Sequence, residues 1–429
     1  MPRLSSFSQQ SLTGLNNITL VLPVSITLDN PNPVDTVVQD QFGNSVSVSG
    51  NRAIVGAYLE DTAAGNNDGK AYIFDTTNGS LLHTLDNPNA FGASTTDRFG
   101  FSVDIDGDRA IVGAYLEDET DNSGSGKAYI FDVTDGSLLF TLDNPNEFGT
   151  SASDNFGFSV AISGDRAIVS ADAEDETDNS GSGKAYIFDV TDGSLLFTLD
   201  NPADNQFGDG ANNRFGRSVA ISDDRAIVGA PFWNASSFTA PFQQGRAYIY
   251  DVTDGSLLFT LDDPVTVYTG NYFGSKVSID GDRAIVGCPG FEAEGGDTVN
   301  SGRAYIFNVI NGSLLHTLDN PNRFGTVNSD DFGSSVSISG DFAVVGAPGE
   351  DDSELVSGSA SGKAYVFSAA NGRLVHVIDN PNAFGESGGD QLGEAVAISG
   401  GTVFVGVSEE DESTGFGSGK TYVYRVPRG

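Results

Sequence analysis

The residues of this chain best suited to chemistry are carboxylates arranged in short runs. Glu60-Asp61, Glu117-Asp118-Glu119 with Asp121, Glu174-Asp175-Glu176 with Asp178, Glu350-Asp351-Asp352 and Glu409-Glu410-Asp411-Glu412 recur in stretches rich in Gly, Ser and Asn. A second acidic set, Asp40, Asp97, Asp154, Asp330 and Asp390, stands two residues ahead of a Phe-Gly or Leu-Gly pair. Hard oxygen donors of this kind suit Ca²⁺, which gathers about 6–8 oxygens from carboxylates, carbonyls and water. The expected calcium ligands are Asp97, Glu117, Asp118, Asp121, Asp154, Glu174, Asp175, Asp178, Asp351 and Asp352. The spacing is not that of an EF-hand, because Glu119-x-Asp121-Asn122-x-Gly124 lacks the closing bidentate Glu. The competing reading is a solvated acidic rim whose Asp side chains cap turns through backbone N–H groups.

A different chemistry stands at Pro231-Phe232-Trp233-Asn234-Ala235-Ser236-Ser237-Phe238, where the only Trp of the chain takes the place of an acidic run. Trp233 and Phe238 on a loop could stack on a sugar ring or anchor a protein; alternatively the rings fold back and plug the loop. Catalysis finds little support. His83, His316 and His376 occupy equivalent places in separate repeats, and no Ser-His-Asp order, metal-binding His pair or phosphate loop is present. The expectation is a protein that is not an enzyme, with a glycan-binding lectin or carbohydrate-active enzyme acting through the Trp233 loop as the alternative.

The elements that must position these residues come in seven copies. Phe42-Gly43, Phe99-Gly100, Phe156-Gly157, Phe215-Gly216, Phe273-Gly274, Phe332-Gly333 and Leu392-Gly393 are spaced by 57, 57, 59, 58, 59 and 60 residues. Within one unit, Ser102–Ile105 alternates and Asp106-Gly107 turns the chain. Arg109–Ala114 then reads as a buried strand, Lys127–Phe131 as a third strand, and Ser137–Leu142 as a fourth after the Asp135-Gly136 turn. Four antiparallel strands repeated seven times predict an all-β, seven-bladed β-propeller. The last unit ends after its third strand, while Thr27-Leu28-Asp29-Asn30-Pro31-Asn32 repeats Thr84-Leu85-Asp86-Asn87-Pro88-Asn89 letter for letter. The N-terminal strand is therefore expected to complete the seventh blade and close the ring. One propeller domain over residues 18–429 is expected, with residues 1–17 as a flexible or anchoring tail.

Composition narrows the partners. The 59 acidic and 21 basic residues give a formal charge of −38, so nucleic acid is excluded as a natural partner. No run approaches the length of a membrane span, the N-terminus lacks the features of a secretory signal, and membrane insertion is not expected. The single Cys288 stands where other copies carry Ala, and reads as a small buried residue.

Phe332-Gly333 with Val345-Gly346-Ala347-Pro348 resembles the FG-GAP repeats of bacterial surface proteins and of the integrin α-subunit propeller, over about residues 24–426. The resemblance implies the propeller fold and a surface binding role, in a bacterial adhesion protein or on a virion. It does not carry over the integrin calcium loop, because the hairpin that would hold it is as short here as Ser163-Gly164-Asp165-Arg166. Alternating strand direction puts the loops between strands two and three and between blades on one face. That long-loop face is the expected contact for a protein or glycan partner, outside the cell or within a larger particle.

Overall fold

The computed structural model describes residues 20–32, 40–61, 67–88, 96–118, 124–146, 153–174, 181–202, 213–233, 243–265, 270–291, 301–321, 330–350, 360–381, 389–410 and 418–427. Every regular element among them is a β-strand, and the strands form seven sheets, five of them built of four consecutive antiparallel neighbours. Blade two is typical, with strands Ser102–Asp106, Arg109–Ala114, Lys127–Asp132 and Leu138–Asp143 in that order. The first strands of all seven blades line a central channel. Second and third strands are buried almost throughout, whereas the fourth strand of blade two is exposed or half-buried except at Leu142, as an outer edge should be.

Blade seven contains Ala395–Ser399, Thr402–Val407 and Lys420–Arg425, and its outer strand is Val24–Asp29 from the other end of the chain. Thr27, Leu28 and Asp29 pair with Tyr422, Thr421 and Lys420. In blade one Thr84, Leu85 and Asp86 pair in the same register with Tyr72, Ala71 and Lys70. The predicted closure is thus present residue for residue. Leu28 and Val423 pack with Phe42, Val55 and Tyr72 of blade one, and Arg425 donates to the Thr76 carbonyl at 2.9 Å, sealing the seam. One feature was not expected: Leu20–Val21 pairs in parallel with the outer strand of blade six, Leu374–Asp379, making that sheet five-stranded. Leu22, 5% exposed, then inserts between blades six and seven.

The core lies between blades. Ile111, Ala128 and Ile130 of blade two meet Phe156, Val160, Val169 and Tyr186 of blade three, and equivalent clusters recur around the ring. Each anchor Phe is fully buried, a contribution of about 1.5–3 kcal/mol apiece. Phe99, for example, packs 5.8 Å from Tyr129 and 6.0 Å from Phe131. The glycines of the repeat have a matching cause. A Cβ on Gly113 would lie 2.1 Å from the carbonyl oxygen of Gly157, so the Gly of one blade's second strand and the Gly after the next blade's anchor touch backbone to backbone. Gly157 also has φ of +90°, which side chains rarely adopt.

Candidate binding face and the carboxylates beneath it

Each second strand ends in a turn that opens the long-loop face. In blade two the Glu117 N–H donates to the Ala114 carbonyl at 3.1 Å, and the Gly126 N–H returns to the Glu117 carbonyl at 3.0 Å. The Glu117 side chain points inward. It is 0% exposed, and the Tyr129 hydroxyl lies 2.5 and 2.6 Å from its two oxygens. Glu60–Tyr72, Glu174–Tyr186, Glu350–Tyr365 and Glu410–Tyr422 repeat this contact at 2.5–2.8 Å. Desolvation raises all five carboxyls, and the tyrosine hydrogen bond only partly offsets it. Glu60 and Glu174 are pushed up to about 7, Glu117 and Glu350 to about 8.

Blades four and five fill the same position with Trp233 and Phe291. Their N–H groups bond Ala230 and Cys288, and their carbonyls receive Gly245 and Gly302, as in the glutamate blades. The residue opening the third strand changes in concert. It is Lys70, Lys127, Lys184, Lys363 or Lys420 in the glutamate blades and Arg246 or Arg303 in the aromatic ones. The Arg246 guanidinium lies 3.4 Å from the Trp233 ring centre and that of Arg303 3.8 Å from Phe291, a cation–π stack in place of a buried acid. All seven cations also pair with an outer-strand Asp, as in Lys70–Asp86 at 2.7 Å and Arg246–Asp262 at 2.6 Å.

The second acidic set closes the inter-blade loops. Asp97 and Asp154 are 2% and 3% exposed. Asp97 accepts from Asn87 at 2.9 Å, and Asp154 from Asn144 and Asn146 at 3.0 Å each. Asn30–Asp40, Asn320–Asp330 and Asn380–Asp390 make the same bridge. Between blades four and five the two residues are exchanged, and Asn271 donates to Asp263 at 2.5 Å. The bridge survives with its chemistry reversed end for end.

Those expected ligand residues that lie among the described ones have protein partners. Glu117 and Glu174 are held by tyrosines, Asp97 and Asp154 by asparagines, and Asp118 receives the Gly124 N–H at 2.8 Å. Asp121, Asp175, Asp178, Asp351, Asp352 and Phe238 lie outside the described residues. Among the described residues no three His, Cys, Asp or Glu side chains converge as a metal site. Trp233 is half-buried and lies against Arg246. Cys288 is buried, as its exchange with Ala implied.

Two signals in the sequence could have found the buried pairs. The Glu stands 12 residues before the Tyr in four of the five glutamate blades and 15 before it in blade six, and the Glu-to-aromatic change always accompanies Lys-to-Arg.

The channel has two unlike ends. Toward the short turns a cavity of about 320 Å³ is bounded by small residues such as Ser47, Ala161 and Ser337, with Asp104 held by Ser47 and the Ile162 N–H. Toward the long loops it widens to about 580 Å³ with charged and aromatic walls.

The repeat also matches a known family. The family described as FG-GAP repeat matches residues 32–74, 90–131, 149–188, 208–250, 267–307 and 326–367, in six of the seven blades. No curated protein matches the chain. Among solved structures, the computationally designed Ika8 protein is similar with a TM-score of 0.47 at 14% identity, over 90% of this chain and 97% of that one.

Proposed function

Because the chain belongs to the FG-GAP repeat family, we propose that it is a non-enzymatic binding or structural protein that presents its long-loop face to a protein or glycan partner. Proteins of this family are often extracellular and generally non-enzymatic. Among the described residues no helix is long and apolar enough to cross a membrane. The observation that carries the reading is the contrast between the faces. The opposite face has short turns closed on themselves by Asp side chains, as where Asp132 and Asp135 accept from Thr134 and Ser137. The stretches that follow the glutamates of the buried Glu–Tyr pairs on the other face are longer and differ in sequence among most blades, although 117–126 and 174–183 are identical.

Display on a cell surface or a virus particle is the setting we propose, with assembly into a larger structure. Calcium belongs to this reading through Asp118, Asp121, Asp175, Asp178, Asp351 and Asp352, the loop carboxylates that the buried pairs leave over. Carbodiimide cross-linking of intact particles or cells, followed by mass spectrometry, tests the reading. Cross-links to a partner through the long-loop face are expected; cross-links confined to the short turns would refute it. Millimolar Ca²⁺ added to chelator-treated protein is expected to raise Tm. An unchanged Tm would remove the ion from the account.

A further inference from the structure

At the wide mouth of the channel the sevenfold repetition breaks down. Two residues after the anchor, blades one to three carry Asn44, Phe101 and Phe158, while the remaining blades carry Arg217, Ser275, Ser334 and Glu394. At the next position five blades use serine, whose hydroxyl can tie one blade to the next, as from Ser45 to the Gly100 carbonyl at 2.8 Å. Blade five has Lys276 there instead. Packing demands alone would keep such positions alike, as they keep the glycine after the anchor.

The variation is sorted into sectors. Phe101 lies 5.3, 4.5 and 5.1 Å from the rings of Tyr58, Tyr115 and Phe158, which forms an aromatic wall over blades one to three. Arg217 stacks on Phe158 at 4.3 Å and pairs with Asp172 at 3.2 Å. The exposed ammonium of Lys276 has no ion pair or hydrogen bond among the described residues, and the residue lines the cavity walled by all seven blades. Desolvation by the channel walls and the nearby Arg217 lower its pKa, against the opposing pull of Glu394. Glu394 is held by the Asn44 amide at 3.3 Å and by the Ser408 hydroxyl.

We propose that this mouth binds an anionic sugar residue, a hexuronate unit of an acidic glycan. Its carboxylate sits on Lys276 beside Arg217, its ring C–H face lies against the Phe101–Phe158 wall, and its hydroxyls reach Asn44 and Glu394. Lys276 and Arg217 put two cations on adjacent blades at one mouth, and the exposed Lys276 ammonium, with no side-chain ion pair or hydrogen bond among the described residues, is open to an anion in a chain that otherwise repels one. Glu394 would repel any anion placed beside it, but a sugar can keep its carboxylate on the Lys276 side and turn hydroxyls, from which Glu394 accepts, toward the acid. The aromatic wall gives the apolar face of a pyranose a place to rest. A volume of about 580 Å³ is suited to a ligand of one or two rings. This proposal rests on the binding-protein reading and narrows its ligand.

Calorimetric titration of the full chain with trigalacturonate tests it, with a neutral galactose trisaccharide and sodium acetate as comparisons. Saturable trigalacturonate binding is expected, weaker by about tenfold or more for the neutral sugar and for K276S, the loss typical of a charge-assisted contact. F101N, which installs the blade-one residue, should weaken it as well. Both variants borrow residues that other blades already fold with, and circular dichroism checks that they do. Absence of saturable binding, undiminished binding by K276S, or equal competition by acetate at matched carboxylate concentration would overturn the proposal. If K276S loses nothing while long-loop cross-links to a partner persist, the axial site fails and the binding-face reading stands. K276S-dependent binding without such cross-links would give the reverse.

Discussion

In blade two the turn after the second strand is closed by Glu117, whose carboxyl is buried on the Tyr129 hydroxyl; in blade four the same backbone turn is closed by Trp233, stacked on Arg246. The main-chain hydrogen bonds agree to within about 0.1 Å, so geometry does not dictate which solution is used. The difference lies in what each asks of the surroundings. A buried acid must shed its charge or find a donor, and Glu117 does both, with a raised pKa and a tyrosine partner. Trp233 needs no donor and covers a guanidinium, which tolerates a flat partner better than a lysine does. Each conspicuous acidic run thus contains one residue that serves the interior, the first of the run in four blades and the second, Glu410, in blade seven.

The comparison presupposes seven equivalent blades, and the most drastic way to break it is to remove the strand that makes the seventh. Deleting residues 20–29 should expose the edge Lys420–Arg425 and unfold or aggregate the chain; an unchanged Tm would mean that blade seven does not need Val24–Asp29. Next in size is Glu117→Ala, expected to cost about 2–4 kcal/mol by urea denaturation, because it leaves a cavity and an unpartnered Tyr129 hydroxyl. Installing the blade-four solution, Glu117→Trp with Lys127→Arg, should recover much of that loss. Failure of the pair to outperform Glu117→Trp alone would show that the two solutions are not interchangeable modules.

Stability should also depend on pH. The folded state holds protons on Glu60, Glu117, Glu174 and Glu350 that the unfolded chain releases near 4.5. Their contribution is full below pH 4.5 and is lost as pH rises through about 7 to 8, so stability should fall from pH 5 to pH 8. Glu117→Gln, which stays neutral, should make that decline shallower; a steeper decline would contradict the sign. The smallest change is Asp97→Asn, expected to cost about 0.5–1.5 kcal/mol and to be restored by Asn87→Asp, since blades four and five already use the exchanged order at Asp263 and Asn271. Lack of rescue would show that the position, not the pair, sets the charge.

The fold was legible because its determinants repeat. The Phe-Gly anchors, the Asp-Gly turns and the copied Thr27–Asn32 segment each report one local necessity many times over, and ring closure could be read from a strand missing at one end and spare at the other. Leu20–Val21 escaped because two residues cannot display a strand's alternation. The carboxylates misled for a physical reason. Glu117 beside Asp118 looks like one solvated run, yet a turn rotates successive side chains to different sides, and the tyrosine twelve residues later is one of two signals of which one goes in. The channel mouth was hidden more deeply, since Phe101, Lys276 and Glu394 come from distant repeats and meet only when the ring closes.

The buried acids are tested most directly by following glutamate side-chain carboxyl resonances with ¹³C NMR from pH 3 to pH 9. The account predicts four that remain protonated at pH 6, with midpoints at about 7 to 8, and a fifth, Glu410, raised above its ordinary value, with the Glu117 signal vanishing in Glu117→Gln. Titration of every glutamate near 4.5 would contradict it.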